Sequence, residues 1–521
     1  MPWKSTLILM LAGLPAFAQD GGWQPIRQAA HLQPKVEPLP PPRDVIPALP
    51  PINKMPPPPP PPDPPPPLIG TLLSNQSMPL TLSEVLTSVE QSFPLLRIAE
   101  EERAIAGGRL LTAMGAFDTN LRSASYNTPL GTFENYRTIT GIEQPFSTSG
   151  VSVFSGYRTG FGDFPIYYGD RKTGDGGEFR GGINVPLLRD NEIDRRRANL
   201  QQARLNQEAA EPFVERQRLD FQRSAARTYW GWVASGERLR LAKQLADLAF
   251  DRDKQLKELQ ENKLVARIDR IDNQQNIAAR QALLVEAQLR LQQSTVELSL
   301  FLRNQDGQPL IAGPERLPSF PVLTRYNPSD FEASLESAYL NRPEVQRLRL
   351  QREALEVELR WATNQTLPQL NGFVAGSQDV GWGKRSGSDR LDRSSLDVGF
   401  EFQVPIQRRD ALGRVETARA QVRQLATQEQ YQRDSIRAEV QSAFAAVDRT
   451  YQLHEQAVLR VGLARQVAEA ERQRLKDGDS DVLRVTLREQ AAFDAEILEV
   501  AAKFEYFRAV AEYRAALGIS K

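Results

Sequence analysis

Cysteine is absent from the 521 residues. That excludes disulfides, thiolate metal ligands, thiol nucleophiles and a lipidated N-terminal cysteine. Histidine is nearly absent too: His31 and His454 lie far apart in sequence, so one chain offers no His-based triad and no multi-His metal cluster. Neither sign of charge prevails, with 65 Lys+Arg against 65 Asp+Glu, and a polyanion such as nucleic acid is not an expected partner. Aromatic residues are few, at 8%, and mean hydropathy is −0.46. This is lean for a compact core but suits long helices that bury one stripe each. No apolar run approaches the ~20 residues of a membrane-spanning helix. A membrane location would therefore require a β-barrel.

The first residues read as an address. Lys4 precedes an apolar run from Leu7 to Leu14, followed by Ala16-Phe17-Ala18. This predicts a cleaved export signal over 1–18. A Pro-rich linker is expected over 19–79, where residues 34–67 alone hold 19 of the 37 prolines. Proline fixes φ and removes donors, so extended polyproline II is favoured. A spacer is the simpler reading, and a docking segment is the alternative.

The remainder is one pattern written twice, over 80–313 and 314–521. Each half starts with a short amphipathic helix running into a proline, at Leu86 to Pro94 and Leu335 to Pro343, and a second helix follows. The period then changes to two. Strands are predicted at 120–126, 182–186, 369–375 and 396–405, with further strand-like runs at 136–143 and 150–158 whose pairing the sequence leaves open. In the last strand Leu396, Val398, Phe400, Phe402 and Val404 alternate with Asp397, Gly399, Glu401 and Gln403. The strand-end prolines Pro186 and Pro405 lead into long helices at about 192–262 and 411–476. Apolar residues recur there at coiled-coil spacing: Leu219, Ala226, Val233, Leu241 and Leu248, and again Val440, Phe444, Val447, Tyr451 and Val458. Polar turns interrupt each helix at 260–266 and 476–481, and return helices follow. Ile277, Leu284, Leu291 and Leu298 form a heptad series in the first return, and the two returns align at an offset of 215.

Two strands per half would give about four per chain, too few to close a barrel alone. Several chains would have to share the ring, with helical hairpins of ~100 Å below it. At this point the chain resembles the TolC-type outer membrane efflux proteins over about residues 80–519. The local match is Gly478-Asp-Ser-Asp-Val-Leu-Arg-Val485 with Asp494-Ala-Glu496 at the second hairpin turn, and Lys263-Leu-Val-Ala266 through Asp269 at the first. Lys263 departs from the usual glycine. The fold class that the resemblance implies is mainly α with a small β component. A duplicated unit of strand pair and long helical hairpin would build a homotrimeric, 12-stranded transmembrane barrel on an α-helical coiled-coil tunnel. It also implies a location in the outer membrane with a periplasmic tunnel. The function implied is a passive exit duct for a tripartite efflux or type I secretion system. Its partners would be an inner-membrane pump, a periplasmic adaptor and outer membrane lipid, with no cofactor. A non-transporting coiled-coil envelope tether is the alternative.

In that family polar links near the hairpin turns hold the tunnel tip shut. Asp269, Asp481 and Arg484 are the gate candidates by position, although Arg484 stands where the family usually has Asp. Ordinary surface charge on an exposed helix end is the competing reading of each. Asp477, Asp479 and Asp481 could form an acidic metal loop, but they lack the remote bidentate Glu of a calcium loop. Tyr229-Trp-Gly-Trp232 is expected to pack rather than bind a ligand, and His454 to be packed or at the surface. Tyr167, Tyr168 and Trp382 fall near loops, as girdle or loop aromatics. No phosphate-binding loop or nucleophile–base pair is visible, so an enzyme is not expected.

Overall fold

The computed structural model describes residues 71–72, 78–164, 172–262, 266–325, 331–381 and 393–519, all within the compact unit Pro58–Lys521. The expected export signal, nearly all of the Pro-rich segment, His31, Lys263, Tyr167, Tyr168 and Trp382 lie outside them.

The first half opens with α1 (Leu82–Ser92) and α2 (Pro94–Met114). Thr81 caps α1, its hydroxyl accepting from the Glu84 N–H at 3.2 Å. Pro94 begins α2 at a position whose missing N–H costs nothing. The second half repeats this arrangement with α6 (Phe331–Asn341) and α7 (Pro343–Asn364). The second helix expected in each pair is present, and in both halves it starts at the proline.

Long helices follow the strands in both halves. In the second, α8 runs unbroken over Arg409–Lys476 and returns as α9 (Val482–Ala516). In the first, the helix divides at Ala209 into α3 (Arg195–Glu208) and α4 (Ala210–Glu261) before returning as α5 (Arg267–Ser299). Pro212 explains the division, because its ring clashes with the carbonyl four residues earlier, at Glu208. Two apolar cores lock the helix pairs onto the hairpins. One gathers Val85, Val89, Leu96, Val214, Trp232 and Leu298. The other gathers Leu335, Val345, Ile436, Val440, Tyr506 and Tyr513. The predicted seams are buried at Leu219, Ala226, Val233 and Leu241, and at Val440 and Val447, but Leu248 and Val458 face solvent.

The strands differ from expectation in number. The described residues form one antiparallel sheet of six, ordered β2-β3-β4-β5-β7-β8. They are β2 (Asn120–Thr128), β3 (Asn135–Pro145), β4 (Ser152–Gly162), β5 (Glu178–Pro186), β7 (Gln369–Asp379) and β8 (Ser395–Gln403). The runs at 136–143 and 150–158 are full strands, so the first half supplies four strands to the sheet rather than two, while the second half supplies the two expected. The two-residue strands β1 (Thr71–Leu72) and β6 (Leu310–Ile311) pair separately. All four connections to the long helices and helix pairs leave the sheet from one end, at Asn120, Pro186, Gln369 and Gln403. Pro186 is the last residue of β5, whereas Pro405 lies two residues past β8. At each of these exits one non-glycine residue takes a left-handed conformation, Asp190 (φ 67°) and Arg408 (φ 50°).

Candidate functional site

The register of the ladders sorts every sheet residue onto one of two faces. One face holds Leu121, Tyr136, Ile142, Val153, Phe161, Phe179, Ile183, Val374, Leu396, Val398, Phe400 and Phe402 among uncharged residues, and it has no Asp, Glu, Lys or Arg on any of the six strands. Most of these side chains are exposed: Leu396 is 73% exposed and Phe400 75%. The other face carries all the strand charges. Arg122, Arg137, Arg158 and Arg180 lie on β2 to β5 with Glu143 and Glu178, while Asp379, Asp397 and Glu401 lie on β7 and β8.

Glycines show which way the sheet curls. On the charged face, a Cβ at Gly141 would lie 2.8 Å from the Ser155 carbonyl oxygen, at Gly156 3.0 Å from that of Thr140, and at Gly182 2.4 Å from that of Val374. On the uncharged face the nearest atoms to Gly181, Gly372 and Gly376 lie 3.4, 3.5 and 3.9 Å away. Side chains crowd on the concave side of a bent sheet, and glycine is what permits the bend. The charged face is therefore the concave one. Arg158 donates from Nε to Glu178 at 2.7 Å, and Arg180 lies 3.6 Å from Asp397.

Both outer edges of the sheet, β2 and β8, are unpaired among the described residues. The sheet thus combines an uncharged, largely apolar convex face, a charged concave face and two open edges.

At the far end of the helices, Gly478 takes φ +83° just past α8. Its N–H reaches the Leu475 carbonyl at 3.2 Å and that of Asp479 reaches Arg474 at 2.9 Å. This is a Schellman ending, which explains the glycine in the turn. Asp481 caps α9, accepting from the Arg484 N–H at 2.8 Å. Arg484 in turn lies 3.4 Å from the Asp481 carboxylate. Asp269 occupies the third position of α5 and accepts from the Ala266 N–H at 3.1 Å. Asp269 and Arg484 thus hold equivalent helix positions, as the offset of 215 predicts. Within the chain each bonds at its own helix start, and no bond joins one to the other. Among the described residues no group of three or more His, Asp or Glu side chains is placed to hold a metal ion.

Between these two regions lies a cluster that the sequence reading missed. Glu489 on α9 accepts from Arg280 on α5 at 3.0 Å, from Arg472 on α8 at 3.1 Å, and from Arg252 on α4. Arg252 also donates to the Thr486 hydroxyl at 3.2 Å, and Arg280 to the Leu245 carbonyl at 3.0 Å. Glu489, Arg280 and Arg252 are buried. Burial holds the Arg280 guanidinium below its usual range. The available signal was charge at core spacing: Arg280 sits three residues after Ile277 in the heptad series, and Glu489 falls between Val485 and Ala492.

The aromatic run packs as expected. Trp230 stacks on Phe507 at 4.2 Å, Tyr229 donates to the Leu80 carbonyl at 2.8 Å, and Trp232 to the Thr295 hydroxyl at 3.1 Å. Burial pushes the Tyr229 hydroxyl up to about 12. His454 is half-buried on α8.

Comparison with known proteins agrees with this architecture. The model of the outer membrane efflux protein family matches residues 334–519. No curated protein sequence matches the chain. Solved structures share its fold, three outer membrane proteins among them. The outer membrane protein VceC of Vibrio cholerae is 16% identical, with a TM-score of 0.60 over 84% of this chain and 96% of that one. The CmeC outer membrane channel of Campylobacter jejuni is 14% identical, with a TM-score of 0.59 over 84% and 85%. The open state of the MtrE outer membrane channel of Neisseria gonorrhoeae is 14% identical, with a TM-score of 0.59 over 84% and 89%. The resemblance to outer membrane efflux proteins is thus met in sequence over the second half and in fold over most of the chain.

Proposed function

We propose that this chain is one subunit of an outer membrane exit duct, a homotrimer that passively conducts substrates delivered by an inner-membrane pump and a periplasmic adaptor. The observation that carries the reading is the two-faced sheet. An uncharged apolar convex face suits lipid, and a charged concave face suits a water-filled lumen. No helix among the described residues is long and apolar enough to cross a membrane, so the sheet is the element that would do so.

Assembly follows from the open edges. In lipid, unpaired edge groups must find partners. Copies arranged head to tail would bring these edges together. With six strands per chain, three copies would supply about eighteen strands rather than twelve, a number that encloses an aqueous channel.

The helices support the same closure. Within the chain, α3 packs on α7 and α4 on α9. The equivalent seams, α8 on α2 and α8 on α5, have no comparable packing within the chain. The surfaces they would use are apolar and exposed: Ile98 and Leu111 on α2, Leu289 and Val296 on α5, Leu459 and Leu463 on α8. Neighbouring copies would cover them. In such a tube the hairpin turns with Asp269, Asp481 and Arg484 form the periplasmic tip.

The test is conductance of the purified full chain in planar bilayers, with its mass measured in detergent. A trimer that conducts salt is expected. A monomer, or insertion without conductance, would replace the duct with a non-transporting scaffold.

A further inference from the structure

The concave face of the sheet contains a cavity of about 440 Å³ whose chemistry the duct reading does not use. Its floor is Gly141 and Gly156, neighbours across β3 and β4, which contribute no side chain. Their Cβ positions meet backbone oxygen at 2.8 and 3.0 Å, so the floor stays bare because the bend requires it.

Three arginines surround this floor. Arg122 pairs in register with Gly141, and Arg180 with Gly156, so all four residues share one row across four strands. At ~4.8 Å per strand the two arginine Cα atoms are about 14 Å apart. That span leaves room for a small molecule between two side chains leaning inward. Arg158 stands two residues along β4 from Gly156, held by the buried Glu178. Arg122 makes no ion pair among the described residues, and Arg180 makes only the long, exposed contact with Asp397 at 3.6 Å. Glu143 is the one carboxylate in the lining. The walls beside the arginines are apolar, with Tyr126, Ile139 and Phe154.

We infer that this cavity binds amphiphilic organic anions: small molecules with a carboxylate, sulfonate or phosphate on an aromatic or apolar body. A guanidinium grips such a head group through two parallel hydrogen bonds. The aromatic walls hold the body and exclude water from those bonds. Two arginines with weak or no ion-pair partners make an anion the better occupant, because a cation would meet net positive charge. The site deepens the duct reading by naming the solute class that the lumen retains in passing. It is open enough to release what it holds, as conduction requires.

The experiment uses the purified full chain in detergent and three probes of one shape: naphthalene-2-sulfonate, naphthalene-2-methanol and 2-naphthylmethylammonium. Fluorescence titration is expected to show the sulfonate binding at least about tenfold more tightly than the other two. Arg122→Gln with Arg180→Gln should weaken sulfonate binding by about tenfold or more, as for loss of a charge-assisted bond. Glu143→Gln should tighten it. Melting curves identify any variant that does not fold, and Glu143→Gln keeps the test valid if the double variant fails. Equal binding of the three probes overturns the inference. So does unchanged sulfonate affinity in a folded double variant, or unchanged affinity in Glu143→Gln. Bilayer recordings separate this result from the duct itself. Sulfonate binding without any salt conductance would leave the site standing and remove the duct. Salt conductance with no preference for the sulfonate would do the reverse.

Discussion

Glu489 accepts a hydrogen bond from Arg280 at 3.0 Å, and this pair joins the return helix of one hairpin to that of the other. Arg252 and Arg472 converge on the same carboxylate, so one acid holds four helices. Burial of two arginines around a single glutamate makes the cluster depend on that glutamate.

Removing it should therefore be costly. Glu489→Ala leaves Arg252 and Arg280 buried without their anion, at a cost of about 3–5 kcal/mol. A clear fall in the thermal midpoint is expected, compared with a small change for Glu469→Ala on the exposed side of α8. A midpoint unchanged by Glu489→Ala would show that water satisfies the arginines.

The two faces of β8 should respond oppositely to charge. Val398→Arg places a cation on the convex face and should block membrane insertion, at about 2–4 kcal/mol if the position lies near the bilayer midplane. Asp397→Asn, one residue away on the concave face, should insert normally. Fractionation of both variants decides the assignment of faces. Equal insertion of the two would reverse or abolish it.

Gly478 tests backbone strain in isolation. At φ +83° nothing lies within 4 Å of a Cβ placed there, so Gly478→Ala pays only the left-handed penalty. About 1 kcal/mol is expected, and Gly478→Asn should recover part of it. Chemical denaturation of the three proteins measures the difference.

The tip charges are proposed as gate elements. Asp481→Ala removes the cap of α9 and the partner of Arg484, and loss of such a cap costs ~1 kcal/mol. Asp269→Ala and Arg484→Ala should each raise conductance if these residues bridge neighbouring copies. In that case the double variant adds little beyond either single change. Additive effects would mean independent roles, and no effect would mark Asp269 and Arg484 as surface charge.

His454 gives a pH dependence of known sign. Burial, then the Lys503 charge, lowers its folded pKa below the ordinary 6.5, against the opposing pull of Glu499 and Glu455. Its Nδ1 is buried without a hydrogen-bond partner. The unfolded chain then binds the proton more readily. This contribution to stability is full above pH 6.5 and is lost as pH falls through the depressed folded value. Thermal midpoints between pH 7.5 and 5 should fall less in His454→Gln than in the unchanged chain. A parallel fall would assign the acid sensitivity to other groups.

Much of this architecture was written along the chain. The helix pairs, their prolines, the long helices and the hairpin turn at Gly478 are local decisions. Proline geometry, a 3.6-residue period and a left-handed glycine each act within a few residues, so the residues that decide them are adjacent in sequence. The alternation in β8 was equally plain. The strand count was not, because the runs in β3 and β4 are rich in Gly, Ser and Thr and only their ladder partners show them to be strands.

What the tertiary structure alone decided is which residues meet. Pairing β5 with β7 joins the halves and assigns every charge to one face, a relation between residues nearly 200 positions apart. The arginine cavity and the Glu489 cluster have the same origin. Arg122 and Arg180 come together through strand register, and Glu489 reaches Arg252 and Arg280 through helix packing. A pattern along one segment shows that a charge occupies an inward position. It does not show which charge faces it there, because burial, distance and hydrogen bonding belong to the pair.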